Sequence, residues 1–132
     1  MYFFSVTLHL PYDEAVERTK AALADEGFGV LTEIDVAATM KAKLDEDLPA
    51  YQILGACNPP LALEAVRAEP TIGALLPCNV VVRQADDHVV VDFMDPAAAM
   101  GLAQSPTIRD LGSRVREKLE NVARSLAPSF IA

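Results

Sequence analysis

The chain opens on strict alternation. Phe4, Val6, Leu8 and Leu10 fall on one side of an extended segment, and Phe3, Ser5, Thr7 and His9 on the other. That period of two predicts a half-buried strand, which Pro11 ends. The pattern then changes to a helical one. Over "YDEAVERTKAALADEGFG", Ala15, Val16, Thr19, Ala22 and Leu23 share an inner face. Asp13 and Glu14 occupy the first turn, where the helix dipole favours acids. Gly27 suits the position just past the helix end, with Phe28 packing back. "FGVLTEI" reads as a second strand.

Asp35 can cap a short helix in which Val36, Met40 and Leu44 recur every four residues, stopped by Pro49. "YQILGAC" reads as a third strand. Asn58 before Pro59 makes a cap and first-turn pair. The helix it starts ends by Glu69, because Pro70 disfavours further helix. "TIGALLP" reads as an irregular apolar connector.

Two valine runs follow, Val80-Val81-Val82 and Val89-Val90-Val91, around Ala85-Asp86-Asp87. They predict a β-hairpin, although Asp-Asp is weaker turn chemistry than Asn-Gly. Unbroken apolar runs suggest strands covered on both faces, the second cover being another subunit. Asp95-Pro96 breaks the pattern, and "AAAMGLA" forms a short turn. Ser105-Pro106 is another cap and first-turn pair. Beyond it, Ile108, Leu111, Val115, Leu119, Val122 and Leu126 recur at 3-4-4-3-4 spacing, the clearest amphipathic helix in the chain.

The predicted order is β-α-β-(α)-β-α-β-β-α. With helical or hairpin connections, it implies an α+β domain over residues 1–132. We expect a single, mainly antiparallel sheet with helices packed chiefly on one face. No internal repeat or linker interrupts it. The 132 residues, 52% of them hydrophobic, suffice for one core. A net charge of −8 with no basic stripe argues against nucleic acid. No run reaches the ~18 apolar residues of a membrane span. "MYFFSVTLHLP" lacks a basic leader and reads as a strand, not a signal peptide. The expected location is the cytoplasm, where the two cysteines are thiols more often than a disulfide.

The stretch "LGACNPPLALEAVRAEPTIGALLPCNVVV", with the later "VDFMDP", is similar to the signature of domain-of-unknown-function family 302, a prokaryotic family. "ATMKAKL" and the terminal helix fit the same pattern. The resemblance rests on Gly55, Cys57, Asn58, Pro59, Leu76, Pro77, Cys78, Asn79 and Asp95-Pro96. It implies a compact α+β domain, often a dimer, and it implies no reaction.

The candidate ligand-binding residues are Cys57, Asn58, Cys78 and Asn79. Cys57 precedes the helix that Asn58 caps, where free amides and the dipole lower a thiol's pKa. If the two strand ends adjoin, the sulfurs can form a reversible disulfide or a soft-metal site. The hairpin turn places Cys78 roughly opposite Met94 or Asp95, depending on register, and Cys78 with Met94 is a further soft pair. Both cysteines can equally serve as small buried hydrophobes. No CxxC exists, and the 20-residue gap is not a zinc spacing. Asn58 and Asn79 have capping and turn duties as their plain role, with ligand contact as the other.

His9 and His88 read as solvated. "LDEDL" lacks the spaced ligands and glycine of a Ca²⁺ loop, and the glycines form no phosphate loop. No catalytic set, metal site or cofactor is assigned. Three readings stay open: a homodimeric ligand- or partner-binding module without catalysis, a thiol redox or sulfur-handling protein, and a soft-metal binder.

Overall fold

A computed structural model describes residues 1–131. Five strands form one antiparallel sheet in the order β1-β5-β4-β3-β2. They are β1 (Phe3–Leu8), β2 (Gly29–Asp35), β3 (Tyr51–Cys57), β4 (Cys78–Ala85) and β5 (His88–Met94). The helices are α1 (Tyr12–Asp25), α2 (Val36–Leu44), α3 (Pro59–Ala68), α4 (Pro96–Met100) and α5 (Pro106–Leu126). The connector after α3 is more regular than its sequence suggests: Pro70–Leu75 coils into a 3-10 helix. A cis Leu76–Pro77 peptide follows it.

The alternation of β1 holds, with Val6 and Leu8 buried. All five inner-face residues expected of α1 are buried. Its end is a Schellman turn. Gly27, at φ +84°, donates its N–H to the Ala24 carbonyl, and Phe28 donates to that of Leu23. The Phe28 ring then enters the core. On α5, Ile108, Leu111, Leu119 and Val122 are buried as the spacing predicts.

Two apolar clusters make up the interior. The larger joins Val6, Leu54, Val80, Val82, Val91 and Phe93 of the sheet to Leu23 of α1 and Leu119 of α5. The smaller holds Leu61 and Ala65 of α3, Ile72, Met100, and Ile108 and Leu111 of α5. The helices of the main core therefore cover one face of the sheet.

Two expectations fail locally. α2 forms where its pattern places it, and Asp35 accepts from the Ala38 N–H at 2.9 Å. It nonetheless buries none of its residues, and Leu44 is exposed. A four-residue repeat over nine residues supplies a stripe but no partner surface. Ser105 sits at the start of α5, yet its hydroxyl makes no capping bond.

The hairpin is tight. Ala85 faces His88 across a two-residue turn, and Asp86 takes φ 50°. Alternation sends Val80, Val82, Val89 and Val91 into the core. It sends Val81 and Val90 to the other face, where they are only half-buried. The chain itself thus covers these strands on one side. Among the described residues, no helix is long and apolar enough to cross a membrane.

Candidate functional site

The structure separates the four sequence-derived site residues. Cys57, Asn58 and Cys78 line a narrow, apolar cavity of about 30 Å³ between the ends of β3 and β4 and helices α3 and α5. Asn79 is exposed and lines a different cavity, on the opposite face of the sheet. The pleat explains the split: neighbouring residues on a strand point to opposite faces.

Ala56 is the Cα partner of Cys78, so the two strand ends do adjoin. Cys78 is buried in the larger core cluster. Cys57 is half-buried and outside that cluster. Both thiols are free. Burial pushes the Cys78 thiol up to about 12, with the nearby Cys57 adding to the effect. Burial also raises Cys57. Burial thus moves Cys57 in the direction opposite to the lowering expected from the start of α3, because leaving water penalises the thiolate.

Met94 does not join Cys78; it lines the cavity on the opposite face. Met100, which the spacing did not suggest, is the methionine beside the cysteine cavity. Among the described residues, no group of three or more His, Cys, Asp or Glu side chains is placed to hold a metal ion.

Asn58 is committed to the backbone. Its Oδ1 accepts from the Leu61 N–H at 3.4 Å, and its Nδ2 donates to the Glu26 carbonyl at 3.5 Å. It caps α3 and ties that helix to the end of α1.

The other cavity is larger, about 400 Å³, and lies on the uncovered face. The strand register builds it. Phe3 pairs with Met94, and Ser5 with Asp92. Asp92 pairs with Val81, and Arg83 with Tyr51. Tyr2, Phe3 and Tyr51 supply aromatic walls. At its centre Arg83 Nε donates to Asp92 Oδ2 at 2.7 Å, and the Ser5 hydroxyl donates to Asp92 Oδ1 at 2.6 Å. The bond to Asp92 raises the Arg83 pKa further, so the guanidinium stays charged.

Sequence reasoning missed this group. The signal was a charged residue after each valine triplet, Arg83 after Val80-Val81-Val82 and Asp92 after Val89-Val90-Val91. The hairpin register places both on the face opposite the buried valines.

The histidines are near each other but not in either cavity. Their ring centroids are 6.2 Å apart, and His88 Nδ1 lies 3.1 Å from Asp87 Oδ1.

A crystal structure described as uncharacterized conserved protein DUF302 from Bacillus stearothermophilus has the same fold. The TM-score is 0.89 at 25% identity, over 96% of this chain and 98% of that one. No curated protein matches. The sequence model of "Domain of unknown function DUF302" matches residues 4–126, nearly the whole of the described fold, and the chain belongs to that family.

Proposed function

We propose that this chain is a non-catalytic binding module of the cytoplasm that works as a homodimer. In this reading the uncovered face of the sheet is its working surface. The supporting observation is the composition of that face. An antiparallel sheet with one face in water normally alternates apolar inside with polar outside. Here Phe3, Ile53, Val81 and Val90 stand opposite the core and are only half-buried. Ile34, on the edge strand, is 48% exposed.

A second copy is a suitable cover. Five strands about 4.8 Å apart and about 20 Å long present roughly 500 Å² of flat area. Two copies face to face then bury about 1,000 Å², the lower end of a specific interface. The central charges, Arg83 and Asp92, are already paired, so closure strands no lone charge there. Two free thiols fit a reducing compartment.

Sedimentation equilibrium at micromolar concentration tests the reading. A dimer that Val81→Asp converts to a folded monomer supports it. A strict monomer sinks the dimer. The thiol redox reading, using Cys57 and Cys78, is disfavoured by two thiols held protonated. The soft-metal reading at those residues has two cysteines and Met100 around one cavity in its favour.

A further inference from the structure

We infer that the 400 Å³ cavity on the uncovered face takes a small carboxylic acid with an aromatic or apolar body, with Arg83 as its anchor. The inference deepens the binding-module reading and rests on it.

Arg83 carries five N–H donors in a planar fork. Only Nε–H is used, by Asp92. Among the described residues, neither Nη of Arg83 has a hydrogen-bond partner. Asp92 is held from two sides, by Arg83 and by Ser5, so its contact through Nε fixes the plane of the guanidinium. What remains free is the pair of terminal amino groups, the geometry that a carboxylate meets with two parallel bonds.

The walls specify the rest of the ligand. Tyr2, Phe3 and Tyr51 are aromatic, and Val81 and Met94 are apolar. A cavity of this size, mostly apolar with a few placed polar groups, matches small-molecule sites in general. Among the described residues Arg83 is the one basic side chain lining it, and Asp92 lines it too, so the site suits a monoanion and not a phosphate or a dianion. Closure by a second copy strengthens the case. It would remove water from the Nη donors, and a buried donor without an acceptor is costly.

The test is calorimetric titration of the full chain with phenylacetate and with its neutral analogue phenylacetamide, with sedimentation in the same buffer. We expect saturable binding of the acid, about tenfold tighter than the amide, since a charge-assisted pair outweighs a neutral one by about that factor. Arg83→Gln should erase the preference while leaving the amide's weak binding in place, and Arg83→Lys should restore only part of it. Equal affinity for acid and amide, or no binding of either by folded protein, overturns the inference. The comparison on the unsubstituted chain decides even if Arg83→Gln fails to fold. A dimer that ignores phenylacetate loses the ligand class and keeps the dimer. A monomer that prefers the acid loses the dimer and keeps the ligand class.

Discussion

Cys78 faces Ala56 across β3 and β4, and Cys57 is the next residue along, so the two thiols leave the strand pair one step out of register. A cross-strand disulfide is easiest between residues directly opposite, whose Cβ atoms approach to about 4–5 Å. An offset of one residue loses that direct opposition, although both thiols line the same small apolar cavity. With both thiols kept protonated by burial, we expect slow reaction with a disulfide reagent at about pH 8. Cys57, half-buried, should react first, and Cys78 only as fast as the chain opens. Stopped-flow thiol titration followed by peptide mass spectrometry gives the order. A fast-reacting Cys78, or a Cys57–Cys78 disulfide formed under mild oxidant, would contradict this geometry.

Alkali should destabilise the fold through one buried acid, Cys78, and one half-buried acid, Tyr12. Burial raises Cys78 from 9.0 to about 12 and Tyr12 from 10.0 to about 12. The Tyr12 hydroxyl donates to the Val82 carbonyl at 2.7 Å, which requires the protonated form. A raised folded-state pKa means that the native state holds its proton longer than the unfolded chain. The resulting stability is complete below the unfolded pKa and is lost as pH rises through the folded one. Urea midpoints should therefore be steady to about pH 9 and fall towards pH 12, the thiol acting before the phenol. Tyr12→Phe should be less stable at neutral pH but lose less on going to alkaline pH. A parallel decline in the two proteins would remove Tyr12 from the account.

The order of elements was legible because local signals and tertiary needs agreed. Pro11, Gly27, the Asn58-Pro59 pair and the terminal helix's spacing each put a boundary or a buried face where the structure has one. The failures share a cause. α2 has a helical pattern, but a pattern does not supply a surface to pack against. Cys57 and Cys78 were placed at adjoining strand ends correctly, yet their protonation depends on burial, which a helix-start argument omits. The Arg83–Asp92 pair becomes visible only when the register of the hairpin is known, because it joins residues nine apart on a face that sequence reasoning assigned to valine.

Asp95 should be the most sensitive acidic position. Its Oδ1 accepts from the Ala97 and Ala98 N–H groups at 2.9 and 3.3 Å, capping α4, and its Oδ2 is paired with Arg116 of α5. The residue is 6% exposed. Arg116 also bonds Glu120 at 2.6 Å and lies over the Phe4 ring. Asp95→Ala removes the cap and one of the two carboxylates that hold Arg116, leaving Glu120, a loss of roughly 1–3 kcal/mol once Arg116's partial exposure is allowed for. Asp95→Asn keeps an acceptor for the cap and should cost less. Urea denaturation of the two variants separates the contributions. Equal losses would mean that the cap contributes nothing.

Gly55 is the position where even a methyl group is excluded. Its partners across the sheet are Thr32 on β2 and Asn79 on β4. A Cβ built on Gly55 would collide with Thr32 Oγ1 and lie 2.9 Å from Cγ of Pro77. Thr32 and Pro77 therefore close over the glycine from both sides, which accounts for its burial on a face that is otherwise half-open. Gly55→Ala should cost about 1–3 kcal/mol by overpacking, not by backbone strain, since its φ lies outside the left-handed region. The distinction is measurable. Thr32→Ala removes the closest obstacle, so the double variant should recover part of the loss, the remainder belonging to Pro77. A double-mutant cycle in urea reads the coupling directly. If the two losses simply add, Thr32 does not press on Gly55, and the packing of β2 against β3 at this point differs from that described.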